Sequence, residues 1–387
     1  MLPETLQAPN LRHLSLHGIG LSTGLPILSS AIALSTLSLT HIRASCYFSP
    51  SYLATQLKGL PHLEELSIGF TIQIPFPGSE GELLPALILP VTLPSLRRLT
   101  FLGADAYLDN LVAQINTPLL ERLTLTLLFD LIFTFLNLTE FIHRTEGLRL
   151  LVARVIFNKD GVSIDAGYNE QLGVGKSSFH VNVNCEPLDW QIDSATQVCS
   201  TLERVLSTVE ELTVDLRVFG MASDWASTLE DVSWLELLLP FIGVKKLHIG
   251  SSLTLELSQA LRLDFGELVL PELQELQVSL KTDDATNALT AFIETREFMG
   301  RHIDLSVPPE DEEENIRLQN TLAVRRSQRR AQENHWQRKL EDAVKSAVKD
   351  ADAERREKEV WKARALALEE KLKGLGVSLS ESFSGGF

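Results

Sequence analysis

A unit of the form L-x-x-L-x-L recurs through the first three hundred residues and constrains the fold more than any other feature. It appears as Leu11-Leu14-Leu16, Leu34-Leu37-Leu39, Leu63-Leu66-Ile68, Leu96-Leu99-Phe101 and Leu120-Leu123-Leu125. A degenerate copy follows at Leu148-Leu151, then Val209-Leu212-Val214, Val244-Leu247-Ile249 and Leu273-Leu276-Val278. First positions are spaced by 23, 29, 33, 24, 28, 61, 35 and 29 residues. The 61-residue gap has room for one more copy, placed at the alternating stretch Phe179-His180-Val181-Asn182-Val183. Alternation with period two predicts a short strand in each copy. The apolar positions then turn into the core, and residues such as Ser15, Ser38 and Ser67 face outward. Helix-like stretches separate the strands, at Pro50 to Leu60, Tyr107 to Ile115, Leu138 to Arg144, Trp234 to Phe241 and Ala288 to Phe298. A copy of this kind buries its apolar edge only against its neighbours, so the array is expected to fold as one unit.

A period in the twenties to thirties with this pattern is the mark of leucine-rich repeats. The expected fold class is therefore α/β: an irregular leucine-rich-repeat solenoid over residues 1–306, with a concave strand face for an unknown protein partner. The same region is similar to the leucine-rich part of F-box-type proteins of mushroom-forming fungi. The similarity lies in Tyr107-Leu108-Asp109-Asn110-Leu111-Val112-Ala113-Gln114-Ile115, Leu188-Asp189-Trp190-Gln191, and Trp234-Leu235-Glu236-Leu237-Leu238 with Pro240-Phe241. It implies an interaction scaffold of substrate-receptor type. The chain begins directly in a repeat, with no F-box visible before it.

The chemistry most specific to one function lies further on, in Asn320-Thr321-Leu322-Ala323-Val324-Arg325-Arg326-Ser327-Gln328-Arg329-Arg330. On a helix, Asn320, Ala323, Val324 and Ser327 share one face, with four arginines beside it. Such a face suits a DNA major groove: an amide meets a base edge, small side chains allow close approach and guanidinium groups hold phosphates. From Leu340 a heptad runs without a break. Its d positions are Leu340, Ala347, Glu354, Trp361, Leu368 and Leu375, and its a positions are Val344, Ala351, Lys358, Ala365 and Leu372.

A basic helix running into a heptad seam is the layout of a bZIP protein. Residues 318–377 resemble the bZIP domain of fungal transcription activators in Asn320-Thr321, Ala323, Arg325-Arg326-Ser327 and Leu340-Glu341-Asp342. Trp361-Lys362-Ala363-Arg364-Ala365 is similar to basidiomycete members. The resemblance implies double-stranded DNA as partner, with Asn320, Ala323, Val324, Ser327 and Gln328 facing bases and Arg325, Arg326, Arg329 and Arg330 on phosphates. It also implies a homo- or heterodimer held by Leu340, Val344, Trp361, Leu368, Leu372 and Leu375, acting in the nucleus (the scaffold reading would place it in the cytoplasm). Two departures bear on that expectation. Gln328 stands where the resemblance implies arginine. Leu340 lies 20 residues after Asn320, two more than the resemblance implies, which turns the basic face by about 200° on a continuous helix. Either an irregularity near His335-Trp336 absorbs that turn or the alignment of the basic face with the groove is lost.

The remaining features set bounds. Length allows about two domains, and Val307-Pro308-Pro309-Glu310 through Asn315 is expected to be an acidic linker over 307–316. The bZIP-like segment is expected over 317–377, with a Ser- and Gly-rich disordered tail at 378–387. The net charge of −16 argues against nucleic acid binding over the whole surface, yet Ile316 to Arg330 holds five arginines and no acid. Three separated cysteines, Cys46, Cys185 and Cys199, argue against a disulfide framework. No signal peptide is evident, and Leu123 to Leu138, interrupted by Asp130, is expected to be core rather than a membrane span. Gly173-Val174-Gly175-Lys176-Ser177 resembles the end of a phosphate loop, but Glu170 occupies the position of its first glycine. His13 and His17 are expected to be surface histidines, and the Asn137-Leu138-Thr139 sequon a chance match. No cofactor, metal or enzymatic constellation is expected.

Overall fold

A computed structural model describes residues 8–18, 28, 30–43, 46–71, 89–128, 133, 135–148, 150–169, 172, 177–217, 231–262, 269–278, 283–306 and 312–374. The chain divides into two units, Met1–Leu318 and Gln319–Phe387.

The first unit is a mixed α/β structure built on a 12-stranded sheet. Its strands are β1 (His13–His17), β2 (Thr36–Ile42), β3 (Glu65–Phe70), β5 (Arg98–Gly103), β7 (Arg122–Leu128), β8 (Val152–Asn158), β9 (Gly161–Gly167), β10 (Phe179–Asn184), β11 (Glu211–Arg217), β12 (Lys246–Ile249), β13 (Glu275–Val278) and β14 (Asp304–Ser306). Two short strands, β4 (Val91–Thr92) and β6 (Ile115–Asn116), pair separately. The order is β1-β2-β3-β5-β7-β10-β9-β8-β11-β12-β13-β14. Every pairing is parallel except the two made by β9.

The recurring leucines set the register. Leu14 pairs with Leu37, Leu37 with Leu66, Leu66 with Leu99 and Leu99 with Leu123. Beyond the centre, Ala153 pairs with Leu212, Leu212 with Leu247, and Leu247 with Leu276. A slip of one residue would turn these side chains to the opposite face, so burial holds the register. Leu37, Leu66, Leu99, Leu123, Leu212, Leu247 and Leu276 are all buried. Full burial of such a side chain contributes about 1.5–3 kcal/mol before entropic costs.

A turn precedes each strand of the recurring unit. Its closing amide–carbonyl bonds run from Leu11 to Ala8, Leu63 to Leu60, Leu96 to Leu93, Leu120 to Thr117, Val244 to Phe241 and Leu273 to Leu270. Pro9, Pro61, Pro94, Pro118 and Pro271 occupy the second position of five of these turns; proline presets φ there and has no amide to waste. Successive turns stack closely. A Cβ on Gly243 would lie inside van der Waals contact of the Ser207 carbonyl oxygen, and one on Gly147 would meet Leu120 in the same way. The carbonyl of Ser35 accepts from both Glu64 and Glu65, that of Glu64 from Arg97 and Arg98, and that of Arg97 from Glu121 and Arg122. Backbone groups at the strand entrances are thus satisfied from strand to strand.

The helices of this unit are α1 (Pro50–Leu57), α2 (Asp105–Ala113), α3 (Leu136–Arg144), α4 (Leu188–Thr201), α5 (Glu203–Leu206), α6 (Asp231–Leu238), α7 (Thr254–Leu261) and α8 (Asp283–Phe298). They pack largely in chain order, α1 on α2, α2 on α3, α4 on α6, α6 on α7 and α7 on α8. No side chain of its own caps α3; the buried Asp109 of α2 accepts from the amides of Asn137 and Leu138 and from Asn137 Nδ2. Asn137 therefore has a local structural role in its sequon.

Two sequence expectations need correction here. The stretches at Leu148-Leu151 and Phe179 to Val183 do not follow one another as uniform copies. β10 lies beside β7, β8 lies beside β11, and β9 runs antiparallel between them. Lys159 and Asp160 form a tight turn and Gly161 has φ +153°, so the chain folds back as a hairpin that sets β9 antiparallel to β8. Gly161 also sits where a Cβ would strike Val183 O. Helices α4, α5 and α7 lie outside the helix-like stretches named from the sequence.

The described part of the second unit is helical. Helix α9 spans Glu312–Gly374, 63 residues, or about 95 Å at 1.5 Å per residue. It starts inside the stretch expected to be a linker. Its first three residues are Glu312, Glu313 and Glu314. It runs through His335 and Trp336 without a break, so, of the two alternatives for the extra two residues, no irregularity absorbs the turn of about 200°.

Candidate nucleic-acid interface and the polar sheet face

On α9, Asn320, Ala323, Val324, Ser327, Gln328 and Arg330 are exposed, and Arg326 is half-buried. The side chains of Arg325 and Arg329 lie outside the described residues. At 100° per residue, Asn320, Ala323, Val324 and Ser327 fall within about 100° of arc, flanked on either side by the arginine positions. This face offers one amide, two small side chains, a hydroxyl and adjacent guanidinium charge. It can approach a base edge while neighbouring charge meets phosphate.

Further along, the heptad seam is open. Leu340 is 68% exposed and Trp361 62%, and Val344 and Leu368 are also more than half exposed. The side chain of Leu372 and the whole of Leu375 lie outside the described residues. Lys339 lies 5.2 Å over the Trp336 ring and Arg364 5.8 Å over Trp361. Because the helix is continuous, Asn320 and Leu340 face about 200° apart around its axis.

The first unit carries a second feature, which sequence reading did not isolate. The pairing register places one row of polar residues across the whole sheet: Ser15, Ser38, Ser67, Thr100 and Thr124, then His180, Asp165, Arg154, Thr213, His248, Gln277 and Ser306. The first five are all hydroxyl-bearing; the rest carry most of the charge. Asp165 and His180 are buried although they belong to the polar row. Asp165 Oδ1 accepts a 2.8 Å bond from Ser177 Oγ and lies 2.8 Å from His180 Nδ1. This carboxylate locks β9 to β10 where the strand order departs from the chain order.

Beside it is a depression of about 250 Å³ lined by Arg154, Glu211, Thr213, Lys246, His248 and Gln277. Partial desolvation lowers the His248 pKa, Asp215 opposes the shift, and the cations Lys246 and Arg154 add to it. Lys246 is itself 3.4 Å from Glu275. At the strand entrances Arg98 pairs with Glu65 and Arg97 with Glu121. These surface pairs contribute little to stability but give the polar face an alternating charge pattern. The alternation of 161–167 was the readable signal for β9, and the register then brings Asp165 and Arg154 together.

His13 and His17 are the first and last residues of β1, so their Cα atoms stand about 13 Å apart, too far to share a metal ion. Among the described residues no group of three or more His, Cys, Asp or Glu is placed to hold a metal. No described helix is long and apolar enough to cross a membrane. The phosphate-loop-like residues 173–176 lie outside the described residues. No family model matches the chain, and no curated protein matches it.

Proposed function

We propose that this chain is a non-enzymatic DNA-binding transcription regulator of bZIP type, carrying a leucine-rich-repeat solenoid that holds a protein partner. The observation that supports it most is the order of features along one uninterrupted helix. After three glutamates, an acid-free basic run with an exposed small-residue face is followed by a heptad seam on which Leu340, Val344, Trp361 and Leu368 are exposed. In this reading two chains pair through Leu340, Val344, Trp361, Leu368, Leu372 and Leu375. Asn320, Ala323, Val324, Ser327 and Gln328 face bases, and Arg325, Arg326, Arg329 and Arg330 hold phosphates of double-stranded DNA in the nucleus. The leucine register across the sheet supports the repeat reading of the first unit, and its polar row is the surface offered to a protein partner.

Fluorescence anisotropy of the full chain on a palindromic bZIP-type duplex and on a scrambled one, across a salt series, tests the DNA reading. Preference for the palindrome of several-fold, retained at moderate salt, is expected. Equal binding to both duplexes that vanishes steeply with salt would reduce the basic run to nonspecific phosphate attraction. Gln328→Arg restores a charged, bidentate donor and is expected to tighten binding; no change would mean that this face does not dock on DNA.

A second reading is favoured by the polar row on the sheet. Here the chain is an F-box-derived interaction scaffold whose helix only pairs copies. It gains if the palindrome is not preferred while a protein partner is lost on substitution of Arg154 and His248.

A further inference from the structure

We propose that Arg154 anchors a protein partner on the polar row by receiving the carboxylate of one exposed aspartate or glutamate. The inference rests on the reading that the polar sheet face holds a protein partner; it is independent of DNA binding.

Arg154 stands near the middle of the row and is half-buried. Among the described residues its guanidinium makes no ion pair or hydrogen bond, although carboxylates sit on both neighbouring strands. Each of these is committed elsewhere. Asp165 lies directly opposite on β9, and its Oδ1 is engaged by Ser177 and by His180 of β10. Asp215 lies diagonally across on β11. Its carboxylate occupies the space that a Cβ on Gly250 would fill, and it accepts from Arg217 Nε at 3.2 Å. On its own strand Arg154 has apolar neighbours two residues to either side on the same face, Val152 and Ile156. A half-buried cation in such a setting is weakly screened, so a carboxylate brought from outside gains a charge-assisted, bidentate pair.

The surroundings supply donors. The register sets Thr213, His248 and Gln277 on successive strands beside Arg154, about 4.8 Å from strand to strand. With Lys246 and Glu211 they line the depression of about 250 Å³. A guanidinium, an ammonium, a hydroxyl, an imidazole and an amide thus face a single carboxylate of the lining, an excess of donors that an acceptor-only group satisfies. That carboxylate, Glu211, is the first residue of β11, at the entrance end. Lys246 is already shared with Glu275 at 3.4 Å, which leaves Arg154 as the unmatched cation of the lining. Asp215, Glu275 and Asp304 stand on the same face and repel the successive phosphates of a nucleic acid strand. A lone carboxylate standing out from a protein surface enters the depression without meeting them all.

Selection from a random peptide library displayed on phage, with the full-length protein as target, tests this. The selected sequences are then measured as labelled synthetic peptides by fluorescence anisotropy. Peptides held on the sheet are expected to share an aspartate or glutamate. Replacing that residue by its amide, or Arg154→Ala, is expected to weaken binding about tenfold or more. Glu211→Gln removes the competing carboxylate and is expected to tighten the same peptides. Arg154→Glu is expected to bind a peptide whose acid has become lysine better than the parent protein does, a gain that a misfolded variant could not show. No shared acid, equal binding by Arg154→Ala, or no gain for the exchanged pair would each overturn the proposal. So would a phosphoserine in place of the acid that binds about tenfold tighter, since the site would then be one for phosphate. Peptides indifferent to Arg154 but released by Thr100→Lys, elsewhere in the row, would remove this inference and leave the partner reading standing. A library that yields no peptide sensitive to any substitution in the row would remove both.

Discussion

Two single side chains on the first unit show how much depends on what surrounds a polar atom. Tyr107 is buried against Phe70, Phe101, Phe48 and Tyr47, with the Phe70 ring centroid 4.6 Å away. Burial pushes its phenol well above its ordinary pKa, and its hydroxyl has no hydrogen-bond partner among the described residues. An unsatisfied buried hydroxyl costs about 1–3 kcal/mol. Tyr107→Phe is therefore expected to leave the fold intact and to raise the urea midpoint, by up to about 1–2 kcal/mol of stability. His248 is the opposite case, a histidine whose neutral form is favoured in the folded state. Its unfolded form takes up a proton first as pH falls, so the stability it contributes is complete above pH ~6.5 and is lost below it. His248→Gln is expected to flatten the fall in melting temperature between pH 7.5 and 5.5. An unchanged slope would place the titration elsewhere.

At the scale of elements, the strands were legible because alternation and repetition reinforce one another. The recurring leucines located eight strands and the alternation at Phe179 located β10, whereas the degenerate copy at Leu148-Leu151 ends before β8, where Ala153 takes the leucine position of the register. The turns carried a signal that went unused, proline at the second position of five of them. What was not legible was neighbour order. β8, β9 and β10 alternate alike, and the short hairpin at Lys159 and Asp160 fixes only that β9 runs antiparallel beside β8, not which strand sits next to β7. Helices α4 and α7 were missed for a related reason. Ser194, Thr196, Ser200 and Thr254 lower helix propensity, and tertiary packing overrides it. On α9 the basic face and the heptad were both evident in the sequence, and the structure adds that the helix between them does not bend. Deleting Ala331 and Gln332 should therefore bring Asn320 back by about 200° relative to Leu340. Stronger preference for the palindromic duplex is the expected outcome, whereas a single-residue deletion, a turn of about 100°, should not produce it.

The whole molecule joins a sheet-based unit with a deep core to a helix that exposes most of its surface. Long polar helices are marginal alone, so α9 is expected to melt at a temperature that rises with protein concentration, as pairing by mass action requires. The first unit should melt independently of concentration. Cys199 offers a separate reading of that second transition. Its thiol is buried and its pKa is pushed far up by desolvation, so it should resist alkylation until the first unit opens. Circular dichroism over a range of concentrations, followed in parallel by thiol labelling, would check both. A helical signal and a labelling signal that move together would mean that the two units unfold as one.

The departure of strand order from chain order also has a consequence for biosynthesis. Along β1, β2, β3, β5 and β7 each strand pairs with the preceding strand of the large sheet, so that sheet can grow as the chain emerges. After Leu128 this stops. The next strand made, β8, does not belong beside β7, and the proper neighbour begins only at Phe179. Until then the nascent chain carries a fully formed half-sheet with an open edge, which is a template for pairing with other chains. A ribosome pausing between β7 and β10 would leave that edge waiting, which makes this interval the point in synthesis where a chaperone matters most.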